Sequence, residues 1–122
     1  MAVTKQPATL LAKKRYGNRP PLTLEQHCAD TESAALRLFA PHTRWGQAWR
    51  RFFKLTGENE ARFLLNLRVA ALFHDLGKAN GDFYAAVTAA GFQAQSVRHE
   101  HLSALVLHVP ALRAWLAQNP AL

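Results

Sequence analysis

Apolar residues in this chain recur every three or four positions, in blocks separated by proline and glycine. No stretch alternates strongly enough to predict a β-strand. Thr23-Leu24-Glu25-Gln26 reads as a capping box opening a helix that runs to about Phe39. Leu24, Cys28, Thr31, Ala35 and Leu38 share one face of it, and His27 borders that face. A second helix spans 44–53. The longest is predicted over 58–76, with Leu64, Leu67, Ala71 and His74 as its inward stripe and Phe63 and Ala70 beside it. The adjacent alanines Ala70 and Ala71 permit close helix packing, and Gly77 is expected to close the helix in the left-handed conformation. Asp82 to Ala90 reads as a short helix, Gly91 to Val97 as a loop, and Arg98 to about His108 as a further helix. Pro110 opens the last, with Leu112, Trp115 and Leu116. Residues 1–21 are broken by Pro7, Gly17, Pro20 and Pro21 and read as an arm or irregular strand. The pattern predicts an all-α, orthogonally packed helical bundle.

At 122 residues this is one small domain, with nearly half its residues apolar. No apolar run approaches the roughly 20 residues of a membrane span. The start lacks the apolar stretch of a secretory signal. The single cysteine, Cys28, excludes an internal disulfide and fits a reducing cytoplasm; its place on an apolar stripe reads as a buried structural thiol.

The formal charge of +7 favours an anionic partner. Much of the excess lies in Lys5, Lys13, Lys14, Arg15 and Arg19 of the arm, where nucleic-acid contact and plain solvation weigh about evenly. The second helix interleaves Arg44, Arg50 and Arg51 with Trp45, Trp49, Phe52 and Phe53. Such interleaving can stack bases and hold phosphates. Helical periodicity alone reads the same aromatics as core and Arg50 and Arg51 as solvated, and that reading takes precedence.

The chemistry gathers at Phe73-His74-Asp75-Leu76-Gly77-Lys78. A neutral ring nitrogen suits a transition metal, and a neighbouring carboxylate adds charge and can bridge to a second ion. His27 and His99 lie on separate predicted helices that could return to the pair. Alone, His27 would read as a core residue, and for Lys78 a solvated helix cap would weigh about equally with a role at the site.

The constellation resembles the HD superfamily of metal-dependent phosphohydrolases. More narrowly, three blocks resemble, in order, the nuclease domain of the CRISPR-associated type I helicase-nuclease. They are Leu24-Glu25-Gln26-His27, then Phe73 through Asn80 with Phe83 following, then Val97-Arg98-His99-Glu100-His101-Leu102-Ser103-Ala104. The resemblance covers about residues 10–108. It implies an HD-type bundle that hydrolyses single-stranded DNA by metal-activated water, using one or two divalent ions of manganese, nickel, cobalt or iron. It also implies recruitment by an RNA-guided surveillance complex, a helicase region in the parent protein, a cytoplasmic setting and no membrane.

By position, the resemblance assigns His27, His74, Asp75 and His99 to metal. It makes Asp75 the bridging carboxylate and Lys78 an electrostatic stabiliser beside the phosphate. His99 is preferred to His101, which points to another side of its helix; His42 and His108 are left without a role. Lys13, Lys14 and Arg15 of the arm and Arg98 are the candidate nucleic-acid contacts. Asp75 lies outside the apolar stripe, so its replacement by alanine is expected to abolish cleavage and leave folding intact.

The chain also departs from the family. No aspartate follows Asp82, no adjacent histidine pair follows the Arg-His-Glu block, and no phosphate-binding loop of a helicase occurs. The expectation is therefore the front part of a longer protein, with an incomplete metal site, salt-sensitive strand binding and little cleavage of its own. Two alternatives stay open: an HD phosphohydrolase acting on a small nucleotide, and an inactive HD-like module that docks nucleic acid or partners.

Overall fold

The computed structural model describes residues 9–120 and 122. Six α-helices follow a short antiparallel ribbon: β1 (Leu11–Lys13), β2 (Leu22–Thr23), α1 (Leu24–Phe39), α2 (Arg44–Phe52), α3 (Glu58–Phe73), α4 (Gly81–Thr88), α5 (His99–Val106) and α6 (Pro110–Leu116). A single 3-10 turn, Leu76–Lys78, joins α3 to α4. The architecture is an all-α bundle of the HD type with a minimal two-stranded sheet.

The ribbon corrects the expectation that no strand forms. Leu11 pairs with Thr23 and Lys13 with Leu22, and Tyr16 and Arg19 close the hairpin through Gly17 at φ +55°. Ala12 is buried beneath it. Two pairs of strand residues are too few to show a periodic pattern, which is why alternation did not reveal them. The 9–21 part of the basic arm is thus tied to the fold, with Lys13, Lys14, Arg15 and Arg19 exposed on it; Lys5 lies outside the described residues.

α1 starts where predicted. Thr23 accepts a hydrogen bond from the Gln26 amide at 3.1 Å, but Gln26 does not reach back; its amide instead donates to Asp30 at 2.8 Å. α1 packs along α3, and Arg68 ties the pair to Glu32 at 2.7 Å. Leu24 and Ala71 are buried at this contact end, whereas Leu38 and Ala70 of the predicted stripes are exposed.

α3 ends earlier than predicted, at Phe73, and Gly77 does not adopt a left-handed conformation. Its role is close approach. A β-carbon at Gly77 would overlap the His99 carbonyl oxygen and the Ser103 amide of α5. Only hydrogen in that place lets the 3-10 turn lie against α5.

At the far end of the α1–α3 pair, α2 is held by aromatic contacts. Trp49 meets Phe39 at 5.2 Å and Phe63 at 6.0 Å between ring centroids. No helix among the described residues is long and apolar enough to cross a membrane.

Candidate metal centre

The ends of α1 and α3 and the start of α5 bring four titratable side chains around one carboxylate. His27 lies one turn into α1, set by the Thr23 cap. His74 and Asp75 follow the last residue of α3, and His99 is the first residue of α5. The His27 Nε2 lies 2.7 Å from Asp75 Oδ2, and the His74 Nε2 lies 3.2 Å from the same oxygen. Lys78 Nζ donates to it at 2.5 Å. The other oxygen, Oδ1, faces His99 Nε2 across 3.5 Å.

The tautomer of His74 follows from its other contact. Its Nδ1 lies 2.6 Å from the Ala71 carbonyl oxygen, which can only accept, so Nδ1 carries the proton. That leaves Nε2, turned toward Asp75, as the ligand atom of the neutral ring. This donor set, two imidazole nitrogens and a carboxylate oxygen within 4.8 Å of one another, suits a divalent transition metal. The His74 side chain keeps 37% of its surface in contact with solvent, against 9% for Asp75, so the cluster is open on the His74 side.

Burial would push the Asp75 carboxyl up, but the Lys78 ammonium beside it, then His74 and His27, outweigh burial and hold it below its ordinary value. Lys78 is itself buried, bonded to Asp75 and 5.5 Å from the Phe83 ring centre. The reading of Lys78 as a solvated helix cap is therefore excluded. Cys28 is half-buried near the cluster; burial pushes its thiol up, as does the charge of Asp75.

Several supporting residues, quoted above only as parts of the resembling blocks, were given no role in the sequence reading. Ser103 is buried; its hydroxyl accepts from the Gly77 amide at 2.9 Å and donates to the His99 carbonyl at 3.0 Å. That one side chain locks the 3-10 turn to the first turn of α5. Phe83 packs edge-on against His99, with centroids 5.2 Å apart. Asn80 caps α4 by accepting from the Phe83 amide at 2.9 Å while its own amide donates to the Gly77 carbonyl. Serine at the fourth position after a candidate ligand, and Asn-Gly opening a helix, were the available hints.

The nucleic-acid candidates are dispersed. Lys13, Lys14 and Arg15 sit on the ribbon, and Arg98 is exposed and bonded to Glu100 at 2.8 Å and 3.2 Å. His101, His42 and His108 are exposed and away from the Asp75 cluster. A cleft of about 620 Å³ opens beside His74 between α3, α5 and α6, walled mainly by Val69, Phe73, Leu107 and Leu116.

A protein-family model described as Cas3, HD domain, matches residues 11–120. No curated protein and no solved structure matches the chain. The matched span takes in the ribbon, all six helices and every residue of the Asp75 cluster, and with it the chain belongs to the HD-domain family of Cas3, a metal-dependent nuclease-type domain of CRISPR systems.

Proposed function

We propose that this domain hydrolyses phosphodiester bonds of single-stranded DNA at the His27–His74–Asp75 cluster. The observation that carries it is the convergence of His27, His74 and Asp75, whose ligand atoms lie within 4.8 Å of one another. A divalent transition-metal ion bound there would supply Lewis acidity toward a phosphoryl oxygen and a lowered pKa for attacking water. His27, His74 and Asp75 are the groups that would hold it. His99, whose Nε2 faces Asp75 Oδ1 across 3.5 Å, would be the ligand for a second ion.

Lys78 acts mainly through Asp75. Its ammonium keeps the carboxylate ionised and fixed in one rotamer, and its charge adds to the positive field that a phosphate would meet. The cleft beside His74 is open and apolar-walled. It can take a base of a passing strand, which supports a polymer substrate over an enclosed small nucleotide. With this reading go an RNA-guided CRISPR surveillance complex and a helicase region as partners, in the cytoplasm. Lys13, Lys14, Arg15 and Arg98 would contact the strand.

The test combines metal binding with cleavage. Calorimetric titration with manganese, nickel or cobalt should show binding that weakens about tenfold or more in His74→Ala. Labelled single-stranded DNA should be cut slowly with metal, and not with chelator or in His74→Ala. Phosphate release from mononucleotides with DNA left intact would replace this reading by a nucleotide phosphohydrolase. Absence of both metal binding and cleavage would leave a docking module.

A further inference from the structure

The interleaved arginines and aromatics of α2 do not all enter the core. Gly46 is buried, and Trp49 faces α1 and α3. The opposite face carries Arg44, Trp45, Ala48, Arg51 and Phe52, with Trp45 63% and Phe52 78% exposed. Phe53, just after the helix, is 50% exposed as well, so of the four rings read as core only Trp49 packs as one. Arg50 is corrected too, since it is not solvated but bound to Glu60 at 2.6 Å and to the Pro41 carbonyl at 3.0 Å. From Arg44 to Gly57 there is no acidic residue. Arg44, Arg51 and Lys54 have no acidic partner among the described residues.

Two shallow hollows adjoin α2, one beside Trp45 and one on the side of Arg50 and Arg51. One, of about 350 Å³, is lined by Arg44, Trp45 and Ala48. The other, of about 510 Å³, is lined by Gln47, Arg50, Arg51, Lys54, Leu55 and Thr56; Arg50 is paired with Glu60, which leaves Arg51 and Lys54 as its unpaired cations among the described residues. The backbone adds an independent observation. α2 ends in a Schellman closure, with the Leu55 amide on the Arg50 carbonyl at 2.9 Å and the Lys54 amide on the Arg51 carbonyl at 3.3 Å. The left-handed position of that closure, where glycine is the unstrained choice, is taken by Lys54 at φ +51°, the one non-glycine with positive φ among the described residues. Lys54, in that strained conformation, lines the basic hollow.

We propose that this face of α2 is a second binding surface for single-stranded nucleic acid, separate from the metal centre. Trp45 and Phe52 stack bases, and Arg44, Arg51 and Lys54 hold the backbone phosphates. Unneutralised cations flanking exposed rings complement a polyanion with stackable bases, whereas a protein partner would need acidic groups to match. Twelve residues of α1, about 18 Å at the helical rise, separate His27 from Phe39, against which α2 packs. A stacked strand spans that in about five or six nucleotides. The surface would thus hold a strand whose other part lies at the cluster. That last step rests on the nuclease reading; the binding itself does not.

The experiment measures binding of labelled dT20 and dT4 to the full chain in chelator, across a salt series. The variants are Trp45→Ala with Phe52→Ala, Arg51→Glu, and Lys54→Gly. The first two should each weaken dT20 binding about tenfold, and Arg51→Glu should also flatten the salt dependence by about 0.7 per lost contact. Lys54→Gly should raise the Tm by about 3 °C while weakening dT20 binding, a combination that a structural role for Lys54 does not produce. dT4 should distinguish native and variant far less. Native-like dT20 affinity and salt dependence in all the variants would overturn the proposal and leave a solvated or protein-facing surface. Loss of dT20 binding with no cleavage by the native chain would uphold the surface while refuting the nuclease reading; the reverse pattern would do the opposite.

Discussion

The α1–α3 pair carries polar chemistry at one end and aromatic surface at the other, and the two ends are built on opposite principles. At the Asp75 end the functional groups are short, crowded and each held by another group. Lys78 holds Asp75, the Ala71 carbonyl holds His74, and Ser103 holds the turn that carries them. At the α2 end the long cations Arg44, Arg51 and Lys54 stand in solvent beside exposed rings, and only Arg50 is tied down. A metal site needs positions fixed to within about half an ångström. A strand-binding surface needs reach and accessible area, and tolerates loosely held side chains.

The comparison breaks most sharply at Asp75. Asp75→Ala should abolish metal-dependent cleavage and also destabilise the fold by about 3 kcal/mol, because it strands the Lys78 ammonium in a buried place. The structure thereby reverses the sequence expectation that folding would be unaffected. Denaturant titration of native and Asp75→Ala chains checks it, and equal stability would show that Lys78 escapes to water. Asp75→Asn tests the charge alone. The native carboxyl is held below its ordinary 3.8, so its ionised form favours folding. That contribution is complete above about pH 4 and is lost as pH falls through the lower folded-state value. Asp75→Asn should therefore show a shallower loss of stability below pH 4 than the native chain.

Each end also turns on one glycine. A β-carbon at Gly77 would overlap the His99 carbonyl, and one at Gly46 would overlap the Ala40 carbonyl. Both Gly77→Ala and Gly46→Ala should cost about 2 kcal/mol, since backbone must shift in each. Their functional effects should separate. Gly77→Ala pushes α5 and His99 away from Asp75 and should lower metal affinity, whereas Gly46→Ala moves α2 and should weaken dT20 binding with metal affinity kept. Calorimetry and binding assays on the two variants would blur the division between the ends if each lost both properties.

How far the sequence reached follows the same division. Thr23, the starts of α1 and α6 and the extent of α2 could be read because caps and three-to-four spacing act locally, while the convergence of His27, His74 and Asp75 was legible only through the resembling blocks. The end of α3 could not, since Gly77 is required by contact with α5 and not by the helix it follows. The role of Ser103, though the residue stood in a resembling block, was hidden for the same reason; its partners, Gly77 and His99, belong to different elements. The ribbon was too short to alternate. On α2 the periodicity was right and the burial was wrong: a helix of nine residues repeats its aromatics at core spacing on two faces, and only one face has anything to pack against. Ser103→Ala should cost about 1–2 kcal/mol by leaving the Gly77 amide unbonded, with a smaller loss on breaking the half-exposed Arg50 pair by Glu60→Gln.

The smallest effect expected concerns Arg98, a candidate strand contact whose charge is already engaged. Its guanidinium donates to both oxygens of Glu100, whose carboxyl is pulled down to about 2, first by that hydrogen bond and then by its own backbone amide and by charge. At neutral pH Glu100 is therefore ionised and cancels Arg98 locally. Arg98 lies beside His99 at the metal end, so releasing it would give this end one of the free cations that the α2 end has in plenty. Glu100→Gln should raise affinity for dT20 about two- to threefold and steepen the salt dependence by about 0.7, the increment of one phosphate contact. Arg98→Ala should by contrast change binding little, and much less than Arg51→Glu. Equal losses from those two would mean that Glu100 yields Arg98 to the strand on binding, and that the metal end also grips DNA through reaching cations.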